Sequence, residues 1–268
     1  MKFVIKSKNR IKKLSEMTYA LLKRYEVSDK DIYLFITQDD LEKYNIVFPD
    51  CNCIVAPKGI ANTDNFIVDY FEENEEYIYM NDDVSKIFGL TSDAENGKKY
   101  EIDKSGFDYL IAKLFSEMKA DKVSYGGLYP CDSAMYMKNA PEISKGLSLI
   151  MDPFSAVINN KEVRITEIPV EKEDGSIFIG DNSDTEKSIQ HFKSKNGLIR
   201  LNKWCLKVQY YGNDLGGIVG RNAFTEQYTA EYLKNLYPEY ISSINTKKNG
   251  NTSLRLKKIK GKHDDELS

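Results

Sequence analysis

Cysteine, histidine and tryptophan are scarce in this sequence. Its 268 residues include one tryptophan, two histidines and four cysteines, the last at positions 51, 53, 131 and 205. Cys51 and Cys53 are separated by one residue rather than the two of common zinc and redox pairs, and no second pair follows. These counts exclude a disulfide framework and a histidine-rich zinc site, and they predict reduced thiols in a cytoplasmic protein.

Long apolar runs and an excess of one charge are also missing. No stretch of eighteen apolar residues occurs, and the apolar start at residues 3–5 is too short for a secretory signal. Lys plus Arg number 38 and Asp plus Glu number 41, so the net charge is −3. This balance argues against a protein that coats nucleic acid through bulk positive charge.

Charge is nevertheless unevenly distributed along the chain. Residues 1–24 carry eight basic side chains and one acidic one, whereas residues 62–83 carry eight acidic side chains and no basic one. Residues 246–262 carry seven basic side chains and no acidic one. Such blocks predict a polar cleft or a contact with a polyanion, and charged surface helices are the alternative.

Apolar periodicity alternates between strand and helix in the first 85 residues. Strands are predicted at 2–6, 32–36, 53–56 and 77–80, and helices at 11–25, 39–45 and 61–73. Repeated strand-then-helix units predict an α/β fold with a mostly parallel sheet flanked by helices. Ligands bind such sheets at the carboxyl ends of the strands, where polar residues follow each predicted strand.

The second half of the chain predicts an elaborated, mixed α+β structure. Helices are expected at 106–120, 184–194 and 223–236, with strand-like stretches between 122 and 180. Because no repeat or linker is evident, residues 1–246 are predicted to form a single domain. Residues 247–268 are expected to form a basic C-terminal segment with a disordered end.

The most informative motif is Asn81-Asp82-Asp83, which follows the predicted strand at 77–80. Adjacent carboxylates at the ligand edge of a sheet suit a divalent cation, which prefers oxygen ligands and keeps coordination sites for phosphate. The cation would neutralise a diphosphate leaving group during transfer from an activated donor. A solvated acidic turn is the alternative.

A second polar turn, Ser7-Lys8-Asn9-Arg10, leads from the first predicted strand into a helix. Backbone N–H groups at a helix start and two cationic side chains suit a phosphate. The turn lacks the glycines of a P-loop or a dinucleotide fingerprint, which disfavours those nucleotide sites. A capped, basic helix start is the alternative.

Three sequence motifs are informative through their order: Val4-Ile-Lys-Ser-Lys-Asn-Arg10, Gly59-Ile-Ala-Asn-Thr-Asp-Asn-Phe-Ile-Val-Asp-Tyr70 and Ile78-Tyr-Met-Asn-Asp-Asp-Val84. Their order and spacing resemble the TET-associated glycosyltransferases. These are GT-A-fold enzymes similar to the phage and kinetoplastid enzymes that glycosylate hydroxymethylated pyrimidines in DNA. The match is close over residues 3–87 and weaker but colinear to about residue 240.

The resemblance implies that residues 1–90 bind a nucleotide sugar and residues 91–246 bind the acceptor. The residues expected to contact a UDP-sugar donor are Ser7, Lys8, Asn9, Arg10, Thr37, Gly59, Asn62, Asn81 and Asp82. Asp64 stands where many members of the family carry arginine, so no donor contact is carried over to that position.

For Mn²⁺ or Mg²⁺, the resemblance implies Asp83 as the main ligand, because Asn81 replaces the usual first acid. Asp82 is expected to reach the metal or the ribose. Enzymes of GT-A fold often add a late histidine to the metal site, and His191 is the candidate here. A buried or surface histidine is the alternative.

An inverting transferase needs a carboxylate that takes the proton of the acceptor hydroxyl. Asp181, just before the predicted helix at 184–194, is the first candidate and Asp184 the second. Helix capping is the alternative role for Asp181, and a retaining enzyme needs no base there.

Acceptor contacts are predicted in two places. Tyr125 and Tyr129 are candidates to stack on a flipped base, and a tyrosine-rich core edge is the alternative. Arg255, Lys257 and Lys258 are candidates to follow DNA phosphates, and a solvated tail that aids solubility is the alternative.

The sequence therefore predicts a metal-dependent glycosyltransferase that moves a sugar from a UDP-sugar to the hydroxymethyl group of a modified pyrimidine in DNA. An acceptor that is a glycan, a protein or a small molecule is the alternative, because the fold does not fix the acceptor. Nucleotidyl transfer is a further alternative, weakened by the lack of a glycine-rich first loop. Asn81 and Asp64 also leave open a non-catalytic nucleic-acid-binding module. A bacteriophage source, which would place the protein in the host cytoplasm, suits the DNA chemistry.

Overall fold

The computed structural model describes residues 1–91, 97–172, 175–180, 182–208, 221–246 and 252–262. The helices are α1 (Ile11–Leu14), α2 (Ala20–Arg24), α3 (Leu41–Val47), α4 (Ile60–Tyr70), α5 (Lys104–Ala120), α6 (Ala134–Asn139), α7 (Ser183–Lys195) and α8 (Ala223–Leu236). Short 3₁₀ turns lie at Asp29–Asp31 and Gln38–Asp40, and the π-helical turn Ser15–Tyr19 joins α1 to α2.

The strands of the first half are β1 (Lys2–Lys6), β2 (Ile32–Ile36), β3 (Asn52–Val55), β4 (Glu76–Asn81), β5 (Val84–Leu90) and β6 (Lys99–Glu101). Those of the second half are β7 (Tyr125–Tyr129), β8 (Ile143–Ser144), β9 (Phe154–Ile158), β10 (Pro169–Glu171), β11 (Ile177–Ile179), β12 (Ile199–Val208), β13 (Ile241–Thr246) and β14 (Thr252–Leu256).

Ten of these strands form one sheet, in the order β3-β2-β1-β4-β9-β7-β12-β5-β6, with β8 paired to β12. The first four strands are parallel, β9 is antiparallel to both β4 and β7, and β12 is parallel to β7. Most strands therefore run in one direction, which confirms the predicted α/β class. The antiparallel strands β8 and β9 and the hairpins β10–β11 and β13–β14 make the second half mixed, as predicted, and β5 and β6 form an antiparallel pair at the end of the first half.

Strand β1 lies in the middle of the parallel half, and both of its faces are covered. Phe3 and Ile5 belong to a core shared with α1, α2 and α5, whereas Val4 belongs to a core shared with α4 and α7. Burial on both faces explains why the strand is a continuous apolar run rather than an alternating one. Lys6, the last residue of β1, lies opposite Asn81 at the end of β4.

The helix predicted at 11–25 contains a π-helical turn in its middle. Thr18, within this turn, donates its hydroxyl to the Asn81 carbonyl at 2.7 Å and accepts the Val84 amide at 2.9 Å. The turn from β4 to β5 is thereby fastened to the helix. Single π-helical turns inside helices are frequent at functional sites.

The described part of the predicted basic segment is joined to the domain. Strand β14 pairs with β13, and the Ile259 carbonyl accepts the Leu147 amide at 2.8 Å. Residues 247–251 and 263–268 lie outside the described residues. Within the described ranges, no helix is long and apolar enough to cross a membrane.

Asn159 fixes the carboxyl end of α4 in the core. Its side chain is fully buried and donates to the carbonyls of Val68, Phe71 and Glu72 at 2.8–3.0 Å. We expect Asn159→Ala to lower the free energy of unfolding by about 2–3 kcal/mol, because buried acceptors lose their donor. Exposed Asn139 is the control, and its replacement by Ala should change stability by less than about 0.5 kcal/mol in urea denaturation. Equal losses in both variants would contradict this role.

Candidate active site

The candidate site lies where β1 and β4 end side by side. Ser7 follows β1 and Asp82 follows β4, and the Ser7 hydroxyl donates to Asp82 Oδ2 at 2.8 Å. The hydroxyl of buried Tyr44, on α3, lies 2.7 Å from the same Ser7 oxygen. The predicted first loop and the predicted acidic turn are therefore in direct contact.

Two cations at the start of the first helix neutralise the acidic turn. Arg10 Nη1 lies 2.8 Å from Asp82 Oδ1, and Arg10 Nη2 lies 3.2 Å from Asp83 Oδ2. Lys13 Nζ lies 3.3 Å from the same Asp83 oxygen. The other Asp83 oxygen, Oδ1, and Arg10 Nε are both buried, and neither has a hydrogen-bond partner among the described residues. The turn thus combines two carboxylates, two cations and two unsatisfied polar atoms.

The loop from Ser7 to Arg10 is held from outside by the segment after β2. Buried Asp40 accepts the Asn9 amide at 3.1 Å and the Thr37 hydroxyl at 2.9 Å through one oxygen. The Arg10 amide donates to the Tyr44 hydroxyl at 3.3 Å, and Asn9 has a left-handed φ of 55°. Asp40 and Tyr44 therefore shape the loop. Neither residue is predicted from the sequence. Asp40 is recognisable there only as a polar residue at a helix start, and Tyr44 only as part of an apolar helix face.

The remaining predicted donor residues lie on or beyond the same edge. Lys8 is exposed, and Gly59 precedes α4 with a φ of 108°. Asn62, in the first turn of α4, donates to Glu167 Oε2. Strand β3, which precedes Gly59, is three strands away from β4, which carries the acidic turn.

A chain of buried charges runs beneath this edge, on the face covered by α4 and α7. Lys6 Nζ lies 2.5 Å from Asp64 Oδ1, and Lys187 Nζ on α7 lies 3.0 Å from Asp64 Oδ2. Lys187 also lies 3.0 Å from Asp152 Oδ2, and Ser183 donates to that oxygen at 3.1 Å. The chain ties α4 and the start of α7 to β1 and to the loop before β9.

Asp152 connects this chain of charges to the candidate site. The Asn81 amide donates to the carbonyl of Pro153, the residue after Asp152, at 3.4 Å. Burial opposes ionisation of Asp152, but Lys187 and Lys6 hold its pKa below the ordinary value. Lys187 Nζ also lies 4.4 Å from the ring centroid of Tyr79, whose buried hydroxyl has no partner among the described residues. Asp64, Asp152 and Lys187 are further site residues that the sequence analysis misses.

The structure does not bring His191 to the acidic turn. Its Nδ1 lies 2.8 Å from the Ser124 hydroxyl, its ring stacks on Tyr125 at 4.4 Å, and burial lowers its pKa to about 3. Tyr125 and Tyr77 both pair with Val157 of β9. Tyr77 lies at the opposite end of β4 from Asn81, so Tyr125 is far from the acidic turn. His191 is therefore a neutral core residue. In the described ranges, no three Asp, Glu, His or Cys side chains converge as a metal cluster.

Tyr125 is likewise unsuited to stack on a base, because only 1% of its surface is exposed. Tyr129, at the carboxyl end of β7, borders a cavity of about 340 Å³ together with Asp132 and Met151. The guanidinium of Arg200 lies 5.4 Å from the Tyr129 ring centroid. Of the two predicted tyrosines, Tyr129 is the one placed at the ligand edge.

One of the two predicted catalytic carboxylates, Asp184, lies at the start of α7. Asp184 lies in the first turn and accepts the Thr185 amide at 2.7 Å. Asp181 lies outside the described residues. Nearby Glu186 is buried and accepts the hydroxyls of Thr166 and Tyr237 at 2.7 Å, so it holds α7 in place.

The basic residues predicted to follow DNA are exposed on the outer side of the domain. Arg255 lies on β14, and Lys257 and Lys258 follow it. The Lys257 amide donates to the carbonyl of Tyr240, whose ring contacts Phe192 in the third turn of α7. Phe192 itself lies about 13 Å along α7 from Ser183, at about 1.5 Å of helix rise per residue.

Comparison with protein-family models and with curated proteins yields no match. Solved structures with a similar course of the backbone include S. aureus TarS 1–349 in complex with UDP-GlcNAc, at 11% identity and a TM-score of 0.46, covering 89% of this chain and 73% of that one. Glucosyl-3-phosphoglycerate synthase from Mycobacterium tuberculosis, in complex with Mn²⁺, UDP and glucosyl-3-phosphoglycerate, gives 9% identity, a TM-score of 0.47 and coverages of 96% and 86%.

A mannosyltransferase, PcManGT from Pyrobaculum calidifontis, in complex with GDP-Man and Mn²⁺, gives 7% identity, a TM-score of 0.37 and coverages of 59% and 44%. Each of these three structures contains a nucleotide or a nucleotide sugar. Since all three TM-scores lie below 0.5, the function of this chain has to follow from its own contacts.

The burial of Asp82 makes stability depend on pH in a defined direction. Burial raises its pKa from 3.8 to about 6, against the opposing effects of Arg10 and Ser7. Between these values the folded protein keeps a proton that the unfolded chain releases, so the free energy of unfolding falls as the pH rises. This dependence of the unfolding free energy on pH should become weaker in Asp82→Asn. The expected reduction is up to about 1.4 kcal/mol per pH unit, the value for one proton.

Asp39 provides the matched control for urea denaturation between pH 4 and 7. Its carboxylate is exposed, and the hydrogen bond from Lys58 lowers its pKa. Asp39→Asn should therefore leave the slope above pH 4 unchanged. Identical slopes in the wild type and in Asp82→Asn would show that Asp82 does not titrate in this window.

Proposed function

We propose that this protein is a metal-dependent glycosyltransferase of GT-A type that uses a UDP-sugar as donor. The observation that carries the proposal is the contact of the acidic turn with the cationic first loop, at the carboxyl ends of two adjacent parallel strands. Carboxylates suit a divalent cation and Arg10 suits a phosphate, so together they suit a nucleoside diphosphate with its metal. The resemblance of the three sequence strings to TET-associated glycosyltransferases supports the same reading.

The acidic turn fits Mn²⁺ or Mg²⁺. Asp83 Oδ1 is a buried carboxylate oxygen that has no partner in the described part of the chain, and Asp82 is its neighbour in sequence. Ions of this type are commonly held by one or two carboxylates together with substrate phosphates, so a cluster of three protein ligands is not required. When bound, the metal would act as a Lewis acid that neutralises charge on the diphosphate leaving group.

The protein's own residues supply orientation and charge. Ser7, Asp40 and Tyr44 fix the first loop before the donor arrives, so that little ordering is left to be done on binding. Arg10 lies within reach of the same space as the acidic turn and would neutralise phosphate oxygens. Thr18 holds the turn that carries both carboxylates.

On the acceptor side, we propose that a carboxylate at the start of α7 takes the proton of the acceptor hydroxyl. Asp184 lies in the first turn of this helix, and Asp181 stands two residues before the helix in the sequence. Asp152 shares this region, but Lys187 and Ser183 already occupy its oxygens. An inverting enzyme would use such a base, and a retaining enzyme would not.

The finer proposal is that the acceptor is a hydroxymethylated pyrimidine in DNA. Tyr129 offers an aromatic face beside a cavity at the ligand edge, and Arg200 adds a cation next to it. Arg255, Lys257 and Lys258 add exposed positive charge on an outer surface, where a strand of DNA could continue. A glycan, protein or small-molecule acceptor is the competing candidate, favoured by the net charge of −3.

Replacing Asp83 tests the donor site. We expect Asp83→Asn to reduce Mn²⁺-dependent hydrolysis of the UDP-sugar by at least about 100-fold in kcat/KM, because charge on the leaving group loses its stabilisation. The control is Asp108→Asn on α5, where the carboxylate is exposed and pairs with Lys104. Measured UDP release should be normal in the control. Full activity in a folded Asp83→Asn variant would exclude the proposed metal site.

Nucleoside mass spectrometry tests the acceptor. The protein would be incubated with Mn²⁺, several UDP-sugars and DNA that contains 5-hydroxymethylcytosine or 5-hydroxymethyluracil, with unmodified DNA as control. We expect the mass of a hexose or pentose to be added to a hydroxymethylated base only. Release of UDP without any gain in base mass would support a glycosyltransferase and exclude these acceptors. If neither UDP nor a modified base is formed, a non-catalytic binding module is favoured.

A further inference from the structure

Arg200 is a half-buried cation that has no carboxylate partner among the described residues. Its Nε donates to Asn202 Oδ1 at 2.8 Å and its Nη1 to the Leu149 carbonyl at 3.4 Å, and both acceptors are neutral. Burial lowers the pKa of its guanidinium. The half-buried cations of the acidic turn, Arg10 and Lys13, each lie within 3.3 Å of a carboxylate. Because an unpaired charge in such a place is costly, Arg200 suits an anion from outside the chain.

A buried amide holds the guanidinium of Arg200 in place. The Asn202 side chain is fully buried, and its Nδ2 donates to the Pro141 carbonyl at 2.9 Å and to Ser144 Oγ at 2.7 Å. These bonds fix Asn202 Oδ1, which accepts the Nε of Arg200. A neutral acceptor orients the cation without neutralising it, and Nη2 donates to no described residue. A guanidinium fixed in this way loses little side-chain freedom when it binds an anion.

This cation lies on the side of the acidic turn where the proposed acceptor binds. Strands β9, β7 and β12 follow β4 in the sheet, and Arg200 is opposite Gly127 of β7. Its guanidinium lies 5.4 Å from the ring centroid of Tyr129, the last residue of β7. The cation and the aromatic ring are therefore neighbours near the ligand edge of the sheet.

A chain of hydrogen bonds connects Arg200 with the start of α7. The Leu149 carbonyl accepts Arg200, and the amide of the next residue, Ile150, donates to Ser188 Oγ at 3.0 Å. Ser188 in turn donates to the Asp184 carbonyl at 2.9 Å. Arg200 and a carboxylate residue proposed as the base are therefore linked through the same short loop before β9.

We infer that Arg200 binds a phosphate group of the acceptor and that Tyr129 stacks on the base next to it. The forked guanidinium matches phosphate oxygens, and aromatic rings stack on bases in many sites for single-stranded nucleic acid. This inference rests on the proposed function and adds the chemical class that the site recognises. The acceptor is a phosphate-bearing nucleotide, and its hydroxymethyl base alone binds poorly.

A first experiment observes Arg200 directly in the wild-type protein. Its side-chain Nε–Hε resonance would be followed by nuclear magnetic resonance with isotope-labelled arginine, during titration with inorganic phosphate, 5-hydroxymethyldeoxycytidine monophosphate or the corresponding nucleoside. We expect saturable shifts with both phosphates. The monophosphate should bind at least about tenfold more tightly than inorganic phosphate or the nucleoside. Sodium chloride at equal ionic strength is the control and should cause no saturable shift.

A second experiment combines variants with altered DNA. In the wild type, we expect the KM of a short hydroxymethylated oligonucleotide to rise at least about tenfold when neutral methylphosphonates replace the phosphates beside the target base, with kcat nearly unchanged. In Arg200→Gln the two oligonucleotides should have equal KM values, because the group that distinguishes them is gone. Arg164→Gln is the matched control, since Arg164 is exposed and pairs with Asp69 at 2.6 Å, and it should behave like the wild type.

Each outcome decides for or against the phosphate site. It would be overturned if neither phosphate shifts the Arg200 resonance, or if the effect of methylphosphonate persists at full size in Arg200→Gln. Monophosphate that binds no more tightly than inorganic phosphate would also overturn it, because the site would then serve free phosphate. A saturable shift with the monophosphate, in protein that transfers no sugar from any UDP-sugar, would leave the phosphate site in place and overturn the proposed function. The shift is measured in the wild type, so the test holds even if Arg200→Gln is unstable.

Discussion

The ion pair of Arg10 with Asp82 and Asp83 is the interaction on which the rest of the candidate site depends. It joins the first helix to the end of β4, two parts of the chain more than seventy residues apart. Desolvating these charges is costly, and the arrangement persists because Ser7 and Lys13 add contacts to the two carboxylates, while Tyr44 holds Ser7 in place. A pair held so closely cannot be replaced on one side only without leaving a buried charge.

The second set of charges, from Lys6 to Asp152, stabilises the packing of two helices, α4 and α7. Asp64 is a buried carboxylate, and the structure balances its charge with two lysines, Lys6 and Lys187. Asp64 therefore helps to hold α4 against α7. The positive charge near the carboxyl ends of the strands comes from Lys6 and Lys187. Breaking one member of such a buried set would leave its partner unpaired, which costs more than the pair contributes.

Much of the parallel half could be predicted from the sequence, because its strands are apolar runs bounded by polar residues. Strands β1 and β2 have their predicted bounds, and the meeting of Ser7 with Asp82 follows from parallel strands that end together. Strand β12 is not predicted because polar Asn202 interrupts its pattern, and that side chain donates to Pro141 and Ser144, which are far away in sequence. The charges from Lys6 to Asp152 have no local signal either, since their partners are far apart in sequence.

The acidic turn also connects the two halves of the sheet. Only Asp82 and Asp83 separate β4, in the parallel half, from β5, which pairs with β12 and β6 rather than with β4. Two residues give the chain no slack, so a movement of the carboxylates towards a ligand pulls on the strand that borders β12. The position of the two carboxylates is thereby tied to the start of β5 across a single turn of the chain.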